Sequence, residues 1–147
     1  MKKLTLIIPA KNESESLPSV LDELKIYNLN INIILQESDI STIRSVENYP
    51  VNLIYQDNKG YGDALIKGIE TCTTDYFSIF NADGSFNPSE LKNMLFYIEK
   101  DNYDFVFGSR YQKNSGSEDD TIITLIGNYI FTWIGRFIFN LNISDIL

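Results

Sequence analysis

Two polar side chains two residues apart, Asn81 and Asp83, carry the clearest chemistry in the sequence. They lie in Tyr76-Phe77-Ser78-Ile79-Phe80-Asn81-Ala82-Asp83-Gly84-Ser85-Phe86-Asn87-Pro88. The run opens apolar and aromatic, as a short strand does, then breaks into residues that leave regular structure easily. After Pro88, Ser89-Glu90-Leu91 begins a helical pattern. The stretch predicts strand, polar loop and helix, with Asn81 and Asp83 at the strand's carboxyl end. Open α/β sheets bind ligands at that end. An amide and a carboxylate placed there can put oxygens on one metal ion or one ribose-phosphate.

Composition narrows the chemistry further. There is no histidine in the 147 residues. Histidine-based nucleophile triads and histidine zinc ligands are therefore excluded. A base must be Asp or Glu, and a metal must sit among hard oxygens, which favours Mg²⁺ or Mn²⁺. The formal net charge of −8 argues against nucleic acid as a partner and against adhesion to anionic lipid by charge. It leaves anionic small substrates open, because a divalent cation can supply the missing positive charge. The single cysteine, Cys72, fits a reducing compartment, and the expected location is cytoplasmic. The length suits one domain over residues 1–147.

The elements that must position these groups follow from periodicity. Leu4 to Ile8 is a near-continuous apolar run, as in a buried central strand, and ends at Pro9-Ala10-Lys11-Asn12-Glu13. Leu17, Val20, Leu21 and Leu24 then share one helical face, with Pro18 in the first turn and Ser16 as candidate cap. For Asn12 and Glu13, spacing alone favours local capping over nucleotide contact. Ile31 to Leu35 and Val51 to Tyr55 read as two further strands. The loop Gln36-Glu37-Ser38-Asp39 follows the first, and Ser41 is the candidate cap of a short helix. Glu37 and Asp39 could read a ribose or base, or be merely solvated. Asn58-Lys59-Gly60-Tyr61-Gly62-Asp63-Ala64 leads into a helix in which Gly68 suggests close packing on the sheet. Cys72 reads as core. Asp104 to Phe107 reads as a fifth strand running into Gly108-Ser109-Arg110, where Arg110 can fork a phosphate or be a surface arginine.

The tail from Thr121 is mostly apolar. Ile123, Ile126, Ile130, Trp133, Ile134 and Phe137 form a wide stripe, predicting a core helix. The alternative is peripheral membrane contact through residues 121–140, with Trp133 and Tyr129 at the interface.

Several of these signals fall in one order. Pro9-Ala10-Lys11-Asn12-Glu13 matches a Pro-x-x-Asn-Glu opening, and Asn58, Gly60, Gly62, Ala64 and Gly68 match Asn-x-Gly-x-Gly-x-Ala with a later glycine. Asn81-Ala82-Asp83-Gly84 and Pro88 match an Asp-Ala-Asp-Gly metal motif. Gly108-Ser109-Arg110, Gly127-Asn128 and Ser144-Asp145 complete the series. In these motifs the chain resembles the family 2 glycosyltransferases of GT-A fold. The likeness is to the branch holding dolichol-phosphate mannose synthase and the polyprenyl-phosphate glycosyltransferases.

The resemblance implies a three-layer α/β/α fold with a mainly parallel sheet in the order 3-2-1-4, a Rossmann-like plan. It implies an inverting, metal-dependent transfer from a nucleotide-diphosphate sugar to a lipid phosphate or a growing cell-surface glycan, at the cytoplasmic face of a membrane. Pro9, Ala10, Asn12, Glu13, Glu37, Gly60, Asn81 and Ala82 would hold the donor. Mg²⁺ or Mn²⁺ would sit at Asp83, Asn81 and Ser85. Arg110 would orient a phosphate, and Asp145 is the position-matched general base.

Three departures stand against the family pattern. Asn81 replaces the first metal-motif aspartate, which removes one negative charge. Gln36-Glu37-Ser38-Asp39 replaces Asp-Asp-Gly-Ser. The sequence ends at Leu147, where the family continues with acceptor-site structure, so an incomplete catalytic domain is expected. The competing readings are a nucleotide-sugar-binding remnant without turnover, a sugar-phosphate nucleotidyltransferase and a purely structural α/β domain. Pro9 to Glu13 does not resemble the Gly-rich, basic opening of the nucleotidyltransferases.

Overall fold

The computed structural model describes residues 3–101, 103–108 and 122–141. The chain divides between Leu91 and Lys92 into two compact units. The first unit holds strands β1 (Leu4–Pro9), β2 (Asn30–Leu35), β3 (Asn52–Tyr55) and β4 (Tyr76–Ile79). It also holds helices α1 (Leu17–Leu24), α2 (Ile40–Ser45) and α3 (Tyr61–Glu70). The strands form one parallel sheet in the order β3-β2-β1-β4, as expected.

Each layer follows from the sequence pattern. Leu6, Ile7 and Ile8 of β1 are all fully buried, so the strand is covered on both faces. Alternate residues serve opposite layers. Leu4, Leu6 and Ile8 join Ile31, Ile33 and Leu35 against Leu17, Val20, Leu21 and Leu24 of α1 and Val46 after α2. Ile7 and Ile34 face the other way and pack on Ala64 of α3, with Ile54 beside them. These are the three layers. The α3 helix lies against the sheet at Gly68, where a Cβ would come within 2.4 Å of the Ile7 Cγ2 methyl and 3.1 Å of Ile34. Cys72 lies beyond α3, half-buried, with its sulfur 3.4 Å from the Thr74 hydroxyl.

Two caps differ from expectation. Ser16 occupies the N-cap position of α1 without a side-chain cap bond. Its hydroxyl donates instead to the Glu13 carboxylate. At α2 the cap is Asp39, not Ser41. Asp39 accepts from Thr42 N–H at 3.3 Å and Ser41 Oγ at 3.1 Å, and also from Asn12 N–H, 27 residues away, at 2.7 Å. Ser41 serves the carboxylate rather than the helix. Thr42, fully buried, accepts from Glu13 N–H at 3.0 Å. Asn12 takes φ 60°, a left-handed conformation that asparagine tolerates. The β1–α1 loop is thus tied to the N-terminus of α2.

The second unit begins within α4 (Glu90–Asp101) and includes α5 (Ile122–Ile138). Asp104 to Phe107 is not a strand. Phe105 and Phe107 project to the same side, exposed, with rings stacked 6.2 Å apart. The residues alternate as a strand would, but no ladder partner for them exists among the described residues. The expected core stripe of α5 is also overturned. Ile126, Ile130, Trp133 and Phe137 are exposed, whereas Asn128, Thr132 and Gly135 are buried. The Thr132 hydroxyl donates to the Asn128 side-chain oxygen at 3.3 Å. Apolar residues surround this helix on nearly every side, so periodicity could not select its buried face. Among the described residues no helix is long and apolar enough to cross a membrane.

Gly68→Ala should cost about 1–3 kcal/mol in urea unfolding, because overlap with the branched Ile7 side chain outweighs the gain in helix propensity. Asp39→Ala should cost about 1–2 kcal/mol, a lost N-cap, and leave the Asn12 N–H without its partner. The folded Asp39 carboxyl titrates below its unfolded value. Its contribution is therefore complete above about pH 4 and is lost as the pH falls through the folded value. Asp39→Asn should flatten that acid limb of the stability profile.

Candidate functional site

A parallel sheet sends every strand's carboxyl end to one edge, and the loops gathered there build the site. The order β2-β1-β4 makes the loops after β1 and β4 neighbours. Ile7 pairs with Ile79, and Phe80 N–H donates to the Ile7 carbonyl at 2.9 Å. Residues Pro9 to Glu13 and Asn81 to Ser85 therefore leave adjacent strands at the same edge.

The β4 loop alternates in burial. Phe80 and Ala82 are buried in the α1-side core, while Asn81 is half-buried and Asp83 and Ser85 are exposed. Phe86 folds back edge-to-face on Phe80, with centroids 5.6 Å apart. Gly84 turns the loop at φ 81°, a conformation that other residues reach only with strain. The turn brings Ser85, itself a candidate ligand, to the other two. Ser85 N–H donates to Asp83 Oδ1 at 2.9 Å, and Asn81 Nδ2 donates to Ser85 Oγ at 3.1 Å. Hydrogen bonds from the Ser85 side chain and backbone hold the Asp83 carboxyl below the usual range, against a smaller opposing push from burial. Asp83 is thus an anion at neutral pH.

The donor set fits a hard cation in kind: one carboxylate, one amide oxygen and one hydroxyl, all oxygen. Its charge is low, since Asn81 contributes none. Among the described residues no group of three Asp, Glu, Cys or His side chains is placed to hold a metal.

A pocket of about 330 Å³ opens between the loops after β1 and β2. Ala10, Lys11, Asn12, Gln36, Ser38, Asp39, Ile40 and Ser41 line it. Of the residues nominated from sequence for a donor, Ala10 and Asn12 line this pocket, and Pro9, Glu13 and Glu37 do not. Glu37 is exposed. Sequence reasoning missed Lys11, Gln36 and Ile40; Lys11 and Gln36 follow the ends of β1 and β2, a usable signal, whereas Ile40 opens α2. Desolvation pushes the Asp39 carboxyl up, but bonds from Asn12, Thr42 and Ser41 outweigh it and lower its pKa. With so many donors engaged, Asp39 shapes the pocket wall. Gly60 is the N-cap residue of α3, at φ 114°. Arg110 and Asp145 lie outside the described residues.

Known proteins resemble this chain along most of its length. A dolichol-phosphate mannosyltransferase of Pyrococcus furiosus is 30% identical over 127 residues, covering 80% of this chain and 36% of its own. A UDP-N-acetylglucosamine–dolichyl-phosphate N-acetylglucosaminyltransferase of Methanococcus voltae is 24% identical over 155 residues, covering 90% and 62%. An uncharacterised glycosyltransferase of Mycobacterium bovis is 27% identical over 107 residues, covering 73% and 48%. The chain thus spans between about a third and two-thirds of these relatives' lengths. Mannosyl-3-phosphoglycerate synthase from Rubrobacter xylanophilus superposes with a TM-score of 0.59 at 18% identity, over 67% of this chain and 36% of that one, a likeness of fold. Residues 5–145 match the family model described as Glycosyl transferase family 2, and the chain belongs to that family.

Proposed function

We propose that the protein transfers a sugar from a nucleotide-diphosphate donor to a polyprenyl-phosphate type of lipid acceptor, with inversion at the anomeric carbon. One observation carries the reading: the pocket between the β1 and β2 loops lies at the same sheet edge as Asp83, on the loop next to β1. A nucleoside in that pocket can extend its diphosphate towards Asn81–Ser85. The names of the archaeal relatives favour a lipid-phosphate acceptor over a glycan.

In this reading Ala10, Asn12, Gln36 and Ile40 enclose the nucleoside, and Lys11 offers a positive charge to its phosphates. Asp83, ionised at neutral pH, would hold Mg²⁺ or Mn²⁺ with the Asn81 amide oxygen and the Ser85 hydroxyl. When bound, that ion supplies charge neutralisation on the leaving nucleoside diphosphate. An oxygen of the acceptor phosphate forms the new bond to the anomeric carbon as the bond to the donor's diphosphate breaks. The acceptor is already ionised, so little general-base help is needed. Arg110 orients one of the phosphates, and Asp145 would act as base for a hydroxyl acceptor. Such a lipid places the reaction at the cytoplasmic face of a membrane. The substitution of Asn81 favours one second reading, a module that binds the donor without turning it over.

The test is calorimetric titration with UDP, GDP, CDP and their sugars, in Mn²⁺ and in EDTA. One nucleotide should bind, and only with metal. Binding of none by a folded sample would overturn the donor site. Asp83→Asn should abolish the metal-dependent part. Asn81→Asp should tighten Mn²⁺ by about tenfold, about 1.4 kcal/mol, through the added charge. Metal affinity that ignores both variants would sink the assignment to this loop. Donor binding with no transfer to polyprenyl phosphate, in wild type and in Asn81→Asp, would favour the binding module.

A further inference from the structure

Gln36 and Gln56 stand side by side where β2 and β3 end. Leu35 pairs with Tyr55, and Gln56 N–H donates to the Leu35 carbonyl at 3.1 Å. Their side-chain amides converge on one acceptor. Gln36 Nε2 donates to the Asn58 carbonyl at 3.3 Å and Gln56 Nε2 at 2.6 Å. Gln56 Nε2 also reaches the Gly60 carbonyl at 3.2 Å. The turn of chain before α3 is thereby folded over the ends of two strands.

Asn58 is gripped from its other side as well. Its backbone N–H donates to Asp63 Oδ2 and its side-chain amide to Asp63 Oδ1, both at 3.0 Å. Asp63 lies in the first turn of α3. A carboxylate there is favourable for the helix dipole alone, which would need no partner upstream. Here both oxygens are spent on a single residue five positions earlier. The same bonds keep the Asp63 carboxyl below its usual range.

The chain of contacts ends at the pocket. Gln36 lines it, and the backbone carbonyl of Gln36 accepts from Asp39 N–H at 2.9 Å. Gln36 is therefore held through its backbone by the α2 cap and through its side chain by Asn58. Asp63 is not among the residues lining the pocket. We propose that Asp63 is a positioning residue for the donor pocket: through Asn58 it fixes the Gln36 side chain on the pocket wall. The inference rests on the donor-site reading above. It gives the β3–α3 loop a task beyond capping, namely setting the shape of a neighbouring wall.

The experiment compares wild type with Asp63→Ala, first without ligand and then with it. In ¹H–¹⁵N spectra the Gln36 side-chain amide pair should shift in the variant, and the Asn58 N–H should exchange faster. An unmoved Gln36 pair overturns the proposal. With whichever of UDP, GDP and CDP binds wild type in Mn²⁺ as the probe, Asp63→Ala should weaken binding about three- to tenfold, as for residues of one hydrogen-bond network. In a Gln36→Ala background it should cause no further loss. Additive losses overturn the proposal, since a purely structural Asp63 would weaken both backgrounds alike. Should Asp63→Ala fail to fold, Asp63→Asn keeps the size and one acceptor oxygen and should give the same effects at smaller amplitude. If the Gln36 pair moves but folded wild type binds none of UDP, GDP and CDP or their sugars, the clamp stands and the donor reading alone is overturned.

Discussion

A strand buried on both faces offers solvent only its ends. That constraint on β1 organises the first unit. Leu6 and Ile8 are consumed by the α1 layer and Ile7 by the α3 layer, so no side chain within the strand is free for chemistry. Chemistry is displaced to Ala10, Lys11 and Asn12, where the chain leaves the sheet. Because β2 and β4 flank β1 in parallel, their own exits lie on either side of those residues. One side becomes a pocket walled by the β2 loop. The other becomes the Asn81–Ser85 turn, anchored by Phe80 and Ala82 beneath it. The wall of α3 depends on the same strand, since Gly68 is what allows the helix to sit against Ile7.

Features set by one element's own period were legible in the sequence. The buried residues of α1 are the four that its spacing nominated, and the run Leu4 to Ile8 reads as a central strand. Gly68 was legible because a glycine inside a helix needs a packing reason. Choices settled by distant partners were not legible. Asp39 and Ser41 are both able caps by type; Asp39 is selected because its carboxylate also receives Asn12 N–H from another loop. Glu37 carries a carboxylate as Asp39 does, yet the pocket is lined by its neighbours Gln36 and Ser38, and Glu37 stands exposed between them. For α5 the period held no information, since apolar residues occur all round it and the buried face carries Asn128 and Thr132. An aromatic run such as Asp104 to Phe107 has strand composition, but composition supplies no pairing partner.

Charge gives the site its sharpest requirement. The chain carries eight more negative than positive side chains, and Lys11 is the cation among the residues lining the pocket. Three carboxylates near this edge, Asp39, Asp63 and Asp83, are all held in the ionised form. Hydrogen-bond donors of the protein do most of that work: Asn12, Thr42 and Ser41 at Asp39, Asn58 at Asp63, and Ser85 at Asp83. Donors spent on internal carboxylates are not available to a diphosphate. The first two carboxylates have both oxygens engaged by the loops they brace, and Asp83 receives the Ser85 N–H on Oδ1. An anionic donor approaching this edge meets a protein of net negative charge. In the proposed function a cation held at Asp83 would supply the positive charge that meets the balance, which is why Asn81 matters so much. With an aspartate there, the cation would arrive with two protein charges around it. With asparagine, more of its positive field would remain for the ligand, at the expense of its own affinity for the site.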